Sequence, residues 1–289
     1  MTIIDTRAHP KPSSRMRRRA RTRHYVMCTP SHFAVEYAIN PWMDPTVPVD
    51  AERATDQWDS LRHAYLALGH RVDVIDPVPG QPDMVFAANG GITVGGHTYG
   101  AMFRHAQRES EAAAFADFLR AEGIDVTEPT HVNEGEGDFL VLSSVILAGT
   151  GFRTSLEAHI EAAETLDRPV VSLQLVDPRF YHLDTALAVL DDGGGAAPAD
   201  IAYYPGAFSP HSRRTLRELF PDAVQVSEMD ALMLALNAVS DGRNVVLPTA
   251  ASGFAATLKA RGYQPVPVEL GELLKSGGSV KCCTMELHA

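Results

Sequence analysis

Cys282 is the side chain of this 289-residue chain best suited to nucleophilic chemistry. It lies in the segment Gly277-Gly-Ser-Val-Lys-Cys-Cys-Thr284, after a glycine pair and at the start of an expected β-strand. A thiolate is the reactive form of cysteine, and a cationic neighbour such as Lys281 or a bound guanidinium would lower its pKa. An isolated cysteine is more often a small buried hydrophobe. We assign that role to Cys283, which should face the other side of the strand.

His182 and Asp184 form a second candidate pair, with the spacing of two residues on one face of a strand. A histidine there could protonate a departing amine and then activate water. For an isolated pattern, a structural histidine is the commoner interpretation. Metal ligation is disfavoured because no H-E-x-x-H or C-x-x-C set supplies further ligands, so the sequence predicts no metal site.

Acidic and basic side chains elsewhere could bind a ligand with both charges. In Glu134-Gly-Glu-Gly-Asp138, glycines let the backbone approach a ligand, and alternate carboxylates could grip a planar guanidinium. A solvated acidic turn is an equally good interpretation. A substrate carboxylate could be held by the planar guanidinium of an arginine, and the candidates are Arg104, Arg108 and Arg153. For any one of them, a surface position without such a role is the commoner interpretation.

Charge divides the chain into two parts. The first 23 residues hold eight Lys and Arg against one acid, and the rest holds 17 basic against 35 acidic residues. We therefore predict a basic, disordered arm over 1–23 and a single catalytic domain over 24–289, with a targeting or nucleic-acid segment as the alternative for the arm. The acidic body should repel nucleic acid and attract small cationic ligands.

The expected environment of the protein is the cytoplasm. No stretch approaches the roughly 18 apolar residues that span a bilayer, so we expect no membrane partner. Three cysteines are too few for a disulfide framework and indicate a reducing compartment.

Apolar spacing predicts five helices, over 51–69, 107–122, 154–167, 210–220 and 252–261. Each leads into a short β-prone run, and further strand candidates lie between them, among them Asp83–Ala88, Gly91–Val94 and Thr185–Leu190. A strand, strand, helix, strand unit repeated about five times predicts a closed α/β propeller around a central channel. A doubly wound sheet is disfavoured by the paired strands and by the absence of a G-x-G-x-x-G motif.

Taken together, the motifs resemble the guanidino-modifying enzymes of the pentein superfamily, which include arginine deiminases, dimethylarginine dimethylaminohydrolases, amidinotransferases and arginine dihydrolases. The resemblance spans about residues 24–289. It rests on Val85-Phe-Ala-Ala-Asn89, Glu134 to Asp138, His182-Leu-Asp184 and Gly277 to Thr284, in family order.

This resemblance implies a pentein fold, no cofactor and a covalent S-alkylthiouronium intermediate. Cys282 would attack the guanidinium carbon, His182 would act as acid and then base, and Glu134 with Asp184 would orient the guanidine. Thr284, two positions after the first cysteine, selects Cys282 over Cys283 as the nucleophile.

Within the superfamily the chain is most similar to the arginine dihydrolases. The shared motifs are Met27-Cys-Thr-Pro30, Ile39-Asn-Pro-Trp-Met43, Pro82 to Asn89, Gly151-Phe-Arg-Thr154, Phe180 to Thr185 and Tyr203-Tyr-Pro-Gly-Ala-Phe208. Asn89 stands where deiminases and dimethylarginine enzymes usually carry an aspartate. An amide accepts and donates hydrogen bonds, so it could hold a cationic guanidine and later a neutral ureido group. The resemblance therefore implies arginine hydrolysis to ornithine, ammonia and carbon dioxide, with Asn40 as a second amide contact.

Several alternatives stay open. Glu136 stands where the family usually has a small residue, so either Glu134 or Glu136 could bind the guanidine. Dimethylarginine is the first alternative substrate, and an amidinotransferase that needs an amine acceptor is the next. An inactive binding protein with the same fold is the last, and a homo-oligomer is compatible with all of them.

Overall fold

The computed structural model describes residues 18–194 and 198–288. Over these ranges the strands are β1 His24–Cys28, β2 Arg71–Ile75, β3 Gly91–Val94, β4 His97–Gly100, β5 Asp125–Thr127, β6 Phe139–Val141, β7 Ile146–Thr150, β8 Val170–Gln174, β9 Leu187–Asp191, β10 Asp200–Tyr203, β11 Val224–Gln225, β12 Val239–Ser240, β13 Asn244–Pro248, β14 Gln264–Val268 and β15 Met285–His288. The helices are α1 Ala51–Ala67, α2 Glu109–Ala121, α3 Leu156–Thr165, α4 Leu183–Ala186, α5 Pro210–Leu219, α6 Glu228–Leu232, α7 Ser252–Ala260 and α8 Gly271–Leu274.

These strands form five three-stranded units of one pattern. The first two strands of each unit are antiparallel, and the third returns parallel to the second after a helix. Four units follow the chain, as β3-β4-α2-β5, β6-β7-α3-β8, β9-β10-α5-β11 and β12-β13-α7-β14. The predicted fivefold α/β propeller is confirmed.

The fifth unit joins the two ends of the chain. Strand β15 pairs antiparallel with β1, which pairs parallel with β2. On its other side β15 pairs with β3 of the first unit, so that two units form one six-stranded sheet. Strand β15 therefore closes the ring, and the turn that leads into it carries Cys282.

The five predicted helices are confirmed to within three residues at each end. Helix α1 shows why the spacing is informative: Ala54, Trp58, Leu61 and Tyr65 fall on one face and are buried. The side chain of Asp50 accepts a hydrogen bond from the Arg53 backbone N–H and caps the start of the helix. Nowhere in the ranges described is a helix long and apolar enough to cross a membrane.

At three chemistry-bearing segments the structure differs from the predicted strands. Asp83–Ala88 forms two 3-10 turns, because Pro82 lacks a backbone donor and the Asp83 carbonyl accepts from the Arg108 guanidinium instead of from a neighbouring strand. The strand predicted from Thr185 begins at Leu187, after the helical turn α4. Cys282 lies in a turn over 280–283 and not on a strand.

The carboxyl end of the predicted basic arm differs from the expectation as well. Residues 18–23 lie against the propeller, because three arginines reach carboxylates of the β9–β10 unit and of β15. The pairs are Arg18 with Asp200 (2.8 Å), Arg21 with Asp191 (2.8 Å) and Asp192 (2.7 Å), and Arg23 with Asp192 (2.7 Å) and Glu286 (3.2 Å). The remainder of the arm, residues 1–17, lies outside the described residues.

Candidate active site

Cys282 lines a cavity and is only 3% exposed. Its Sγ donates a hydrogen bond to Asp184 Oδ2 (3.3 Å). Burial, and then the negative charge of Asp184, raises the pKa of the Cys282 thiol well above its usual value. Lys281, which we expected to lower this pKa, instead directs its Nζ to Glu136 (2.6 Å) and to the Thr284 carbonyl (2.9 Å). The cation that could activate this thiol is therefore a ligand.

Asn237 is the site residue that the sequence analysis missed. Its side-chain Nδ2 donates to Cys282 Sγ (3.1 Å) and to the Asp184 carbonyl (3.3 Å), and its Oδ1 accepts from the Cys282 backbone N–H (3.1 Å). It is fully buried in the apolar run Ala231–Val239. A polar residue inside such a run was the available signal, because a buried amide needs partners.

Replacing Asn237 by aspartate is expected to lower kcat by about 10- to 100-fold, because the variant keeps the shape of the side chain but loses the donor to Sγ and adds a negative charge beside a developing thiolate. Asn244 is a suitable control, since its Nδ2 donates to Asp241 away from the cavity. The checks are kcat and the pH dependence of Cys282 alkylation. Unchanged alkylation in Asn237→Asp would contradict this role.

His182 and Asp184 face different partners, and only His182 lines the cavity. The two residues bracket the start of helix α4, and the helical turn separates their directions. His182 Nε2 lies 2.7 Å from Glu134 Oε2, whereas Asp184 contacts Cys282. Burial raises the pKa of Asp184 to about 7. Its Oδ1 atom is buried and accepts no hydrogen bond from the described residues, so it is available to a donor ligand.

Glu134 is the acid of its turn that faces the cavity residues. Its Oε2 also accepts from Arg153 Nη1 (2.8 Å). Burial alone would raise the pKa of Glu134, but the charges of Arg153 and His182 hold it well below its ordinary value. Glu134 is therefore a carboxylate at neutral pH.

Its two acidic neighbours have other partners. Gly135, with φ +52°, turns the backbone so that Glu136 points away to Lys281 and His288. Asp138 Oδ1 accepts from the Leu183 N–H (3.0 Å) and so holds the start of α4, and burial raises its pKa to about 6.

Asn89 is held in one orientation by Arg108. Arg108 Nη1 donates to Asn89 Oδ1 (2.8 Å), and the Asn89 amide donates to the Glu134 carbonyl (3.1 Å). Arg108 also binds both carboxylate oxygens of the fully buried Glu111 (2.9 and 2.7 Å). This arginine is therefore occupied by the protein itself.

Arg108→Ala is expected to lower the free energy of unfolding by about 3–5 kcal/mol, because it leaves Glu111 buried without its partner. Arg120, which lies in helix α2 and is 42% exposed, is the matched control, and Arg120→Ala should change stability by no more than about 0.5 kcal/mol. Urea unfolding of both variants measures the difference. Equal losses of stability would be inconsistent with this assignment.

The remaining candidates divide by their access to the cavity. Arg153 lines it, with Nη2 donating to the Ile39 carbonyl (2.9 Å) and the guanidinium lying 4.7 Å from the Tyr181 ring centre. Asn40 lines it too and donates to the Ser276 carbonyl (3.1 Å). Arg104 is exposed and does not line the cavity, and its Nε donates to the Arg153 carbonyl (2.9 Å).

The cavity is small and lined by charged and aromatic side chains. Its volume of about 10 Å³ corresponds to one water molecule, so a larger ligand requires lining side chains to move. The lining includes Asn40, Phe86, Asn89, Arg153, His182 and Cys282. Within the described part of the chain no cluster of His, Cys, Asp or Glu is arranged to hold a metal ion. The arrangement fits a thiol nucleophile with a histidine and several acids around a planar cation.

Comparison with known proteins identifies relatives that act on guanidino compounds. The chain is 56% identical over 272 residues to the N(G),N(G)-dimethylarginine dimethylaminohydrolase of Mycobacterium tuberculosis, covering 94% of this chain and 88% of the relative. It is 36% identical over 269 residues to the bifunctional arginine dihydrolase/ornithine cyclodeaminase ArgZ of Synechocystis, covering 91% of this chain but only 37% of that relative. No family model matches.

Solved structures agree with these relatives. The N-terminal domain of ArgZ, covalently bound to a reaction intermediate, superimposes with a TM-score of 0.86 at 35% identity, covering 92% of this chain and 97% of that domain. The same domain bound to its product superimposes with a TM-score of 0.87.

Proposed function

Since the chain belongs to the guanidino-hydrolysing enzymes of the pentein superfamily, we propose that it hydrolyses the guanidine group of free arginine with Cys282 as the nucleophile, and that it is an arginine dihydrolase. The observation that carries the proposal is that Cys282 contacts Asp184 and lines one cavity with His182 and Arg153. Residues 24–289 form the catalytic unit.

The first hydrolysis uses the charges already placed around the thiol. Side chains that line the cavity must move to admit arginine: Arg153 leaves Glu134 and holds the substrate carboxylate. The guanidinium then binds between Glu134 and Asp184, whose Oδ1 has no hydrogen-bond partner among the described residues. The bound cation offsets the negative charge of Asp184 and so lowers the pKa of the Cys282 thiol. The thiolate attacks the guanidinium carbon, His182 protonates the departing amine, and ammonia leaves. Water activated by His182 then releases citrulline and the free thiol.

The second hydrolysis is the reason for proposing a dihydrolase. Citrulline presents a neutral ureido oxygen, which an aspartate at position 89 would repel and the Asn89 amide can donate to. Arg108 fixes that amide by occupying its oxygen. A second cycle of attack and hydrolysis consumes another water and yields ornithine, ammonia and carbon dioxide.

The ionisation of Asp184 sets the acid side of the pH profile. A neutral carboxyl group binds guanidinium weakly, and the pKa of Asp184 is raised by burial to about 7. Below that pH the group is protonated, so kcat/KM for arginine should fall as pH decreases through about 7. A pH series of kcat/KM checks this, and a profile that stays flat down to pH 5 would contradict it.

Dimethylarginine hydrolysis is the second candidate, and the 56% identity to the Mycobacterium tuberculosis enzyme favours it. The same residues support it, since the chemistry differs only in the leaving group, which is dimethylamine in place of ammonia. An amidinotransferase would require an added amine acceptor.

Product analysis separates these activities. Purified protein is incubated separately with arginine, citrulline and dimethylarginine, and the products are identified by mass spectrometry. Ornithine from both arginine and citrulline supports the dihydrolase, whereas citrulline and dimethylamine from dimethylarginine alone support the second candidate. The absence of product from all three, with no covalent adduct on Cys282, would overturn the proposal.

A further inference from the structure

A second cluster of charged groups lies directly behind the catalytic turn and takes no part in the reaction proposed above. At its centre is Glu136, which is 1% exposed. Its Oε2 accepts from Lys281 Nζ (2.6 Å) and from the Glu286 backbone N–H (2.8 Å), and its Oε1 lies 3.0 Å from His288 Nε2. None of these four residues lines the cavity that contains Cys282.

Glu136 joins two segments that must be held in register for the chemistry. It lies one residue beyond the glycine that follows Glu134, so its backbone belongs to the turn that faces His182. Its partner Lys281 precedes Cys282, and Lys281 Nζ also donates to the Thr284 carbonyl (2.9 Å), closing a loop around the nucleophile. The contacts of Glu136 with Lys281, Glu286 and His288 therefore connect the turn of Glu134 to the turn of Cys282, and we call these contacts the clamp.

We propose that Glu136 is a positioning residue for the nucleophile, which through Lys281 and strand β15 fixes Cys282 relative to the Glu134 and His182 pair. Nucleophilic attack requires the reacting atoms to be aligned at near contact distance, so a small displacement of the Cys282 turn would slow the reaction without removing any group that touches substrate. The inference rests on the proposed function.

Glu136 is held by charge pairing beside an internal cavity. A cavity of about 50 Å³ lies beside it, lined by charged side chains such as Lys281 and His288 and by apolar side chains such as Leu187. The hydroxyl of Tyr25, which also lines this cavity, is buried and has no hydrogen-bond partner among the described residues. Both carboxylate oxygens of Glu136 have polar partners, so these ion pairs and hydrogen bonds fix its position.

The cluster also balances the charge next to Asp184. Lys281 lies close enough to favour the ionised form of this carboxyl, and Glu136 opposes that effect, while Cys282 and Tyr181 are the other titratable groups around it. Around Glu136 itself the charged groups are Lys281, His288 and Glu286. Removing the Lys281 charge should therefore move the acid limb of kcat/KM to higher pH, a change that loss of packing alone would not produce.

The test compares Glu136→Gln, Lys281→Met and the double variant with wild type. The readouts are kcat, KM and the rate of Cys282 alkylation by iodoacetamide, mapped by mass spectrometry. We expect kcat and the alkylation rate to fall about tenfold or more in each single variant, whereas KM should change by less than about threefold. The double variant should resemble the single variants, because the same clamp is broken in all three. Lys281→Arg should recover part of the loss.

Glu161→Gln is the matched control, because Glu161 also binds several donors, including Tyr99 Oη (2.7 Å) and Thr130 Oγ1 (2.7 Å), far along the chain from the catalytic turns. It should leave kcat and alkylation unchanged. Folded Glu136→Gln and Lys281→Met proteins with wild-type kcat and alkylation would overturn the proposal. Should Glu136→Gln not fold, Lys281→Met decides, since it leaves Glu136 two of its partners. Alkylation of Cys282 needs no substrate, so its rate tests the clamp independently of the proposed activity.

Discussion

Replacing Cys282 by serine is expected to abolish turnover, lowering kcat by about 10⁴-fold or more. A serine hydroxyl is a far weaker nucleophile than a thiolate, and its proton cannot be removed by the mere approach of a cationic substrate. The geometry of the site should survive, because the oxygen can still donate to Asp184 and accept from Asn237, as the sulfur does. Arginine binding should therefore persist, and the decrease in kcat/KM should come from the decrease in kcat.

Cys283→Ala provides the control for this substitution. Cys283 is fully buried in the same hydrophobic cluster but belongs to its packing with Tyr25 and Tyr65. Its replacement should cost about 1 kcal/mol of stability and leave kcat within a few-fold of wild type. Rapid quenching with arginine followed by intact-mass measurement should detect an adduct on wild type and on Cys283→Ala only. Turnover by Cys282→Ser, or an adduct mapped to Cys283, would assign the nucleophile elsewhere.

Much of the fold could be predicted because each unit repeats the same physical pattern. The helix faces are set by apolar spacing, as in Trp58, Leu61 and Tyr65, and each helix must return to a strand beside its predecessor. The closure of the ring could not be predicted from local sequence patterns. That β15 completes the unit of β1 and β2 depends on pairing between the two ends of the chain, which no local pattern encodes.

The segments that carry chemistry were the hardest to predict as local structure. Asp83–Ala88 has the composition of a strand, but its backbone groups are satisfied by turns and by Arg108. His182 and Asp184 have strand spacing, yet a helical turn aims one at Glu134 and the other at Cys282. At such sites tertiary contacts outweigh local preference, and residue identity is more informative than the predicted element.

The sequence motifs predicted which residues meet at the site, but they did not predict the contacts that support those residues. The structure brings Cys282, His182, Glu134 and Asp184 together, and it separates Glu134 from Glu136 by a single glycine with positive φ. Asn237 belongs to no motif that we recognised. Its importance depends on direct contact with Cys282, which lies 45 residues away in the sequence, and only the fold reveals that contact.

His182→Gln is expected to lower kcat for arginine by about 10²- to 10⁴-fold, the range attributed to general acid–base catalysis. Glutamine can still donate a hydrogen bond to Glu134, so the carboxylate keeps a partner and the cavity keeps its shape. It cannot transfer a proton to a leaving amine or take one from water. Formation and hydrolysis of the covalent intermediate should therefore both slow, while KM changes little.

His159→Gln is the control, because His159 is also a buried histidine with two hydrogen bonds, to Ser172 Oγ (2.8 Å) and to the Gly149 carbonyl (3.0 Å), but lies outside the cavity. It should lose stability and keep kcat. An arginine analogue with a methylthio leaving group gives the sharper test, since a thiolate departs without prior protonation. The first-turnover burst with that analogue should be much less sensitive to His182→Gln than the burst with arginine. Equal loss with both compounds would mean that His182 does not supply the proton to the leaving group.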